Sequence, residues 1–242
     1  MELTGCGRSN KDEEIMALDM PCSPKYLPAE LAVDAARTAA IHNPVNAPAP
    51  QLGARASSVL PPEHLAVLTS KYWGAKGVKL TVGFMEPTPL ELKTRILKYA
   101  NRWSEFGNVE CVHSSTDPQV RITRALQGYW SYLGTDVQHI PAHEPTMCLE
   151  NWSLQIPDSE WLRVVPHEFG HTLWFPHEHM RKSIIDRLDA DKTVEYFKRY
   201  QGWTRSMTMA QVLTPLAESS IMGTPDADET SIMAYMLPAA IT

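Results

Sequence analysis

The stretch HEFGHTLWFPHEH, residues 167–179, contains four of the nine histidines of the chain, together with two glutamates. Positions i and i+4 lie on one face of a helix, so His167 and His171 would present two imidazoles side by side. Neutral imidazoles bind Zn²⁺ at about 2.0–2.1 Å, and the adjacent Glu168 would accept a proton from the attacking water. His177 offers a third imidazole if the chain turns back after the helix. The spacing therefore predicts one zinc ion per chain, with room left for water and substrate.

Three separated segments resemble the astacin group of metzincin zinc metalloproteases. HEFGHTLWFPHEHMR matches the astacin pattern HExxHxxGFxHEHxR at every fixed position but one, SIMAY resembles SIMHY, and GYWSYLGT resembles GCWSYVGR. The resemblance covers roughly residues 70–242. It implies an α+β fold of the metzincin type: an N-terminal lobe with a mixed twisted sheet and the active-site helix, an irregular C-terminal lobe, and a cleft between them. It also implies an endopeptidase that cleaves peptide or protein substrates.

The resemblance also implies roles for individual residues. The zinc ligands would be His167, His171 and His177. Glu168 would be the general base, Tyr235 a switchable phenol that supports the oxyanion, and Met233 the methionine of a turn beneath the metal. The substrate would lie antiparallel to a strand that contains Tyr129, Trp130, Ser131 and Tyr132.

Other family features have no counterpart that the sequence alone identifies. In astacins the glutamate at the position of Glu178 pairs with the buried amino terminus of the processed enzyme, and here its partner stays open. His179 is expected to be structural or to support a zinc ligand, and Arg181 to form a local ion pair. An acidic preference just after the cleaved bond is a tendency of the family, but no pocket residue can be matched to it.

The sequence departs from the astacin pattern in four places. Trp174 stands where the pattern has glycine, at a turn that favours positive φ, and a bulky residue held there costs roughly 1–3 kcal/mol. Pro166 directly precedes the first histidine, and we expect it in the first turn of the active-site helix, with EWLRVV as a separate lead-in. Ala234 replaces a histidine that is not a ligand. The cysteine of GCWSY is replaced by Tyr129.

Hydrophobic periodicity places the elements that must position these residues. KGVKLTVGF, NVECVHSS, QVRITRA and GYWSYLGTD have strand chemistry, and PTPLELKTRILKYANRWSEF is helical with Thr88 as a plausible N-cap. The apolar face of this helix comprises Leu92, Ile96, Tyr99 and Trp103. Helices are also predicted in AELAVDAARTAAI, DADKTVEYFKRY and MTMAQVL.

The chain divides into a proline-rich N-terminal extension, residues 1–62, and a catalytic domain, residues 63–242, with an upper lobe at 63–177 and a lower lobe at 178–242. The extension is interpreted as a wrap or pro-segment, with a partly disordered leader as the alternative. Free thiols are favoured over disulfides for Cys6, Cys22, Cys111 and Cys148, because their spacing fits no CxxC pattern. One of the two cysteines of the extension, Cys6 or Cys22, would give a latent enzyme by binding the zinc.

Composition excludes other classes of function. A formal charge of −6 argues against nucleic acid as a partner. No apolar run approaches the roughly 20 residues of a membrane span, and the polar start has no secretory-signal pattern. The compartment therefore stays open: the protein is cytoplasmic, is secreted by a non-classical route, or has lost a signal before this sequence begins. Two alternatives to an active protease stay open: a weakly active or latent homologue, motivated by Trp174, and a module in which zinc only stabilises the fold.

Overall fold

The computed structural model describes residues 22–47, 70–74, 76–216, 226–235, 237–238 and 241. Its centre is a five-stranded sheet in the order β2-β1-β3-β5-β4. The strands are β1 (Val78–Phe84), β2 (Val109–His113), β3 (Val120–Thr123), β4 (Tyr129–Ser131) and β5 (Met147–Leu149). All neighbouring pairs are parallel except β4 and β5, which are antiparallel, so the predicted mixed sheet of an α+β fold is confirmed. The hydrophobic pattern does not predict β5, which has only three residues.

The helices lie before, between and after the strands. In the described residues they are α1 (Ala32–His42), α2 (Leu90–Ala100), α3 (Asp158–Thr172), α4 (Lys182–Ile185), α5 (Ala190–Gln201) and α6 (Arg205–Thr208). A π-helical turn, Met209–Leu213, continues α6. Short 3₁₀ turns lie at Ala29–Leu31, Pro44–Asn46, Asn101–Glu105, Gly134–His139 and Glu178–Met180.

Helix α2 follows its predicted apolar face. Leu92 and Ile96 are buried, and Tyr99 and Trp103 pack against the same core. The predicted N-cap is wrong: Pro89 occupies the N-cap, and the Thr88 hydroxyl donates to the Glu86 carbonyl instead. Proline at this position holds the extended backbone that precedes a helix, so a side-chain cap is not needed.

Two separate hydrophobic clusters support two parts of the chain. The larger cluster joins the sheet to α2 and α3, and Trp152, Trp161 and Phe169 are fully buried in it. The smaller one joins α5, the π-helical turn and the C-terminal segment through Phe197, Val212 and Ile241. The last residues of α3 and the segment that contains Tyr235 therefore pack in different hydrophobic clusters.

No helix within the described ranges is both long and apolar enough to cross a membrane. Cys22, Cys111 and Cys148 are buried free thiols, which confirms that prediction for three of the four cysteines. Cys6 lies outside the described residues.

Candidate metal centre and active site

Helix α3 presents the HExxH residues from its last two turns, all of them buried. The prediction for Pro166 is wrong, because the helix begins at Asp158 and Pro166 lies in its interior. A proline there removes one helical hydrogen bond. The expected acceptor is the carbonyl of Leu162, whose side chain is 45% exposed. At the same place, the Trp103 indole donates to the Pro166 carbonyl at 2.8 Å, which ties α3 to the turn after α2.

The turn after α3 is a Schellman motif with tryptophan at the glycine position. Trp174 has φ 75°, its N–H donates to the His171 carbonyl at 2.8 Å, and the Phe175 N–H donates to the Gly170 carbonyl at 2.9 Å. These are the two hydrogen bonds that define the motif. Replacement of glycine by tryptophan therefore leaves the turn intact, and the turn carries His177 back towards α3.

The structure brings His167, His171 and His177 together through their Nε2 atoms. The Nε2 atom of His177 lies 3.3 Å from that of His167 and 3.2 Å from that of His171. Tetrahedral zinc with bonds of about 2.0–2.1 Å requires nitrogen–nitrogen edges of about 3.3 Å. The indole of Trp174 does not displace His177, since these distances match the zinc geometry.

Hydrogen bonds at Nδ1 of His167 and His171 determine which ring nitrogen of each can bind a metal. Nδ1–H of His167 donates to the Ile232 carbonyl at 2.6 Å, and Nδ1–H of His171 donates to the Phe175 carbonyl at 2.8 Å. A carbonyl only accepts, so the Nε2 atoms of these neutral rings are lone-pair donors to a metal. Burial lowers the pKa of His167 to about 4 and the pKa values of His171 and His177 well below the ordinary value. Neutral lone pairs that converge in a buried site fit a bound cation.

Glu168 lies beside the three imidazoles and is fully buried. Its Oε2 accepts from the Cys22 thiol at 3.4 Å, and its Oε1 is buried with no hydrogen-bond partner among the described residues. Burial raises the pKa of this carboxyl to about 8, while the Cys22 thiol and Arg163 act in the opposite direction. A desolvated carboxyl with one free oxygen at the metal centre is suited to proton transfer.

Met233 lies directly beneath α3, and its packing explains the glycine of HEFGH. A Cβ at Gly170 would overlap the Met233 sulfur, so only glycine allows this close approach. The carbonyl of Met233 accepts from the Glu178 N–H at 2.9 Å, which joins this segment to the residue after His177.

Tyr235 and His179 form a stacked pair against His177. The His179 and Tyr235 rings lie 4.0 Å apart at 24°, and the Tyr235 ring centre is 4.5 Å from that of His177. Nδ1 of His179 accepts from the Tyr235 N–H at 3.1 Å, and its Nε2–H donates to the Gln211 carbonyl of the π-helical turn at 3.1 Å. The phenol hydroxyl donates to the carbonyl of Cys22.

Cys22 completes the histidine cluster. Its Sγ and the metal-binding nitrogens of the three histidines all lie within 4.8 Å of one another. Burial and Glu168 raise the pKa of the Cys22 thiol well above its ordinary value, but a bound zinc ion would deprotonate it. Sequence analysis treated Cys22 only as an alternative ligand. The signal available was its context, PCSP, because flanking prolines favour an extended backbone that can enter a cleft.

The segment after Cys22 lies against the edge strand β4 as an added parallel strand. The Ser23 N–H donates to the Tyr129 carbonyl at 3.1 Å, and the Lys25 N–H donates to the Ser131 carbonyl at 2.9 Å. On β4, Trp130 and Ser131 are buried, and the neighbouring Tyr132 packs against the core. One edge of the predicted substrate strand pairs with no other strand of the sheet, and the chain's own N-terminal segment occupies that edge.

Glu178 and Arg181 form the local ion pair that the sequence suggested for the arginine. Nη1 of Arg181 lies 3.3 Å from the Glu178 carboxylate, which also accepts from the Asp228 N–H at 3.0 Å. The carboxylate that pairs with an amino terminus in astacins therefore has an internal guanidinium as its partner.

The fold and the histidine cluster together are those of the astacin-like metzincin zinc metalloproteases. Two structures of myroilysin support this class. One aligns with 29% identity and a TM-score of 0.65, over 71% of this chain and 84% of myroilysin. The other aligns with 29% identity and a TM-score of 0.52, over 82% and 85% of the two chains.

A further similar structure is high choriolytic enzyme 1, a hatching-enzyme zinc protease of the medaka fish Oryzias latipes. It has 14% identity and a TM-score of 0.46, over 71% of this chain and 78% of that protein, and at this level it adds no support to the assignment. No protein-family model matches the sequence, and no curated protein does so.

Proposed function

We propose that this chain is a zinc-dependent endopeptidase with one catalytic zinc ion, in which residues 63–242 form the catalytic domain and residues 1–62 a pro-segment. The lobes would be residues 63–177 and 178–242, in line with the two hydrophobic clusters. The observation that carries the proposal is the convergence of three neutral imidazole nitrogens beside the buried carboxyl of Glu168.

The residues of the chain have separate tasks in this reaction. Zinc held by the three histidines supplies a Lewis acid that polarises the scissile carbonyl and lowers the pKa of a water molecule. Glu168 accepts the proton of the attacking water and passes it to the leaving nitrogen. Tyr235 directs its hydroxyl at the oxyanion once that hydroxyl is released from the Cys22 carbonyl. The outer edge of β4, once the segment from Cys22 to Lys25 has left it, binds the extended substrate through main-chain hydrogen bonds.

Zinc analysis combined with proteolysis of a mixed peptide library tests this proposal. The assays use a chain that carries Cys22→Ser, which removes the sulfur from the histidine cluster. We expect one zinc per chain and cleavage that a chelator abolishes. Glu168→Gln should keep the zinc and lose at least about a hundredfold in kcat/KM, the usual contribution of a general base. Glu195→Gln on α5 is the matched control and should cleave at the unmodified rate. A Glu168→Gln variant that cleaves normally would refute the assigned role.

The position of Cys22 favours a second feature of this function, which is latency of the intact chain. Its sulfur lies within 4.8 Å of the three imidazole nitrogens, close enough to act as a fourth zinc ligand, and the segment from Cys22 to Lys25 covers the edge that a substrate needs. That segment runs parallel to β4, whereas astacins bind substrate antiparallel. Its backbone is therefore reversed relative to a cleavable peptide, which explains how it blocks the cleft without being cut.

Substitution of Cys22 separates latency from a purely structural zinc site, because both predict four protein ligands in the intact chain. In a latent protease, Cys22→Ser retains zinc and gains activity. In a structural site, the same change lowers zinc content and stability without creating activity. Cys148→Ser, at a buried thiol outside the cluster, is the control and should not activate the chain. Full activity of the unmodified chain would exclude latency.

A further inference from the structure

A cavity of about 200 Å³ lies beside the metal centre and stays open although the N-terminal segment occupies the neighbouring edge. Cys22, His167 and Glu168 line one side of it, so a group bound there would be next to the reacting bond. An apolar cavity of about 150 Å³ is enough to bind benzene. The cavity therefore has room for one large side chain.

The orientation of the N-terminal segment shows which substrate residue would reach this cavity. Ser23 and Lys25 bond to Tyr129 and Ser131 in turn, so the segment runs from Cys22 along β4. The cavity contacts Tyr129, at the start of β4, but none of residues 130–132. It therefore lies beyond Cys22, at the end of the N-terminal segment away from Lys25. An antiparallel substrate would place the residues before the scissile bond along β4 and the next residue at the cavity.

The walls of the cavity are mainly apolar and come from both sides of the cleft. Val164 of α3 is 2% exposed and Phe197 of α5 is 4% exposed. Ile232 and Pro238 also line the cavity. Burial of an apolar side chain against such walls is favourable in proportion to the area removed from water.

Among the described residues that line the cavity, Arg163 carries the guanidinium, and a carboxylate offsets its charge. Nε and Nη2 of Arg163 donate to the two carboxylate oxygens of Glu160, at 3.0 and 2.6 Å. This bidentate pair occupies one edge of the guanidinium and offsets its charge with that of a carboxylate. Glu168, on the same helix as Arg163, adds a carboxyl to the lining. An acidic side chain would lose its hydration in this cavity, and the described lining residues offer no unpaired cation to offset that cost.

We propose that this cavity selects a large apolar or aromatic side chain directly after the scissile bond, and that Glu160 excludes acidic side chains by holding Arg163. The inference rests on the proposed endopeptidase function. It makes Phe197 and Glu160 specificity-determining residues, and it runs against the acidic preference that the astacin resemblance suggests.

The test is a set of peptides that differ only in the residue after the cleaved bond, incubated with the full zinc-loaded chain that carries Cys22→Ser. We expect kcat/KM at least about tenfold higher for Phe or Leu than for Asp or Glu, which corresponds to about 1.4 kcal/mol. Glu160→Gln should raise cleavage before Asp and Glu at least about tenfold and leave cleavage before Phe within about threefold. Glu110→Gln, an exposed carboxylate paired with Lys79, is the control and should leave the ratio unchanged. An acidic preference before substitution, or no change with Glu160→Gln, would overturn the proposal.

A binding measurement distinguishes a wrong specificity from a wrong function. Phenylalaninamide and aspartic acid α-amide are compared on the unmodified chain by saturation-transfer NMR, which needs no turnover. We expect only the former to bind, and Ile232→Ala and Phe197→Ala to weaken it at least about fivefold while circular dichroism checks their folding. Equal binding of both amides would overturn the cavity assignment. If no peptide is cleaved while phenylalaninamide still binds selectively, the endopeptidase proposal fails and the cavity preference stands.

Discussion

Trp174 tests the physical account of the turn that carries His177. Its φ of 75° lies in the left-handed region, which costs an L-residue about 1–2 kcal/mol relative to glycine. Its indole nitrogen is buried with no partner among the described residues, and its ring meets Tyr72 edge-on at a centroid distance of 6.3 Å. Both Trp174→Ala and Trp174→Gly lose the indole contacts, but only alanine keeps the strained backbone. The difference between these two variants therefore isolates the backbone cost.

We expect Trp174→Gly to be more stable than Trp174→Ala by about 1 kcal/mol. Glycine removes the backbone strain, but its larger conformational entropy in the unfolded state offsets part of that stabilisation. The matched pair Thr94→Ala and Thr94→Gly lies on an exposed position of α2, where alanine should instead be favoured by about 1 kcal/mol. The assay is urea unfolding of the full zinc-loaded chain, extrapolated to water. An alanine variant at 174 as stable as the glycine variant would refute the strained turn. The three histidines already converge with tryptophan at position 174. Adding Trp174→Gly to the Cys22→Ser chain should therefore leave kcat/KM within about threefold of that of the Cys22→Ser chain alone.

Three further predictions concern the supports of the site. Gly170→Ala should lower the free energy of unfolding by about 1–3 kcal/mol, because its Cβ overlaps the Met233 sulfur, and urea unfolding measures the loss; no loss would contradict the close packing. Asn46→Ala should lower the free energy of unfolding by about 3 kcal/mol in the same assay. The buried Asn46 amide donates to the Tyr72 carbonyl at 2.7 Å and accepts from the Tyr72 N–H at 3.0 Å, and alanine loses both bonds. An unchanged urea midpoint would show that the N-terminal segment is not anchored at Tyr72. Chelation of zinc should lower the free energy of unfolding of the intact chain by about 4 kcal/mol or more. Thermal unfolding with and without chelator measures this change, and an unchanged melting temperature would argue against a bound metal.

The sequence predicted the elements whose patterns are local. The strand β1 and the helix α2 follow from alternation and from a four-three-four spacing, and both lie within the predicted segments. The interior proline of α3 was misplaced because propensity treats Pro166 as a helix breaker, while packing of Val165 and Phe169 in the core holds the helix together across it.

The site was predictable where its residues share one short motif, and less predictable where residues distant in the sequence come into contact. Spacing alone places His167 and His171 on one helical face. The approach of Cys22 to Glu168 spans 146 positions, and nothing in local sequence fixes such a contact. The stacking of His179 on Tyr235 likewise depends on two distant segments that meet through tertiary packing.

X-ray absorption at the zinc edge, on the intact chain and on Cys22→Ser, tests the central claim most directly. The account predicts one zinc per chain with three nitrogen ligands at about 2.0–2.1 Å and one sulfur at about 2.3 Å, and replacement of the sulfur by an oxygen ligand in the variant. A chain without stoichiometric zinc, or a zinc shell with fewer than three nitrogens, would contradict it.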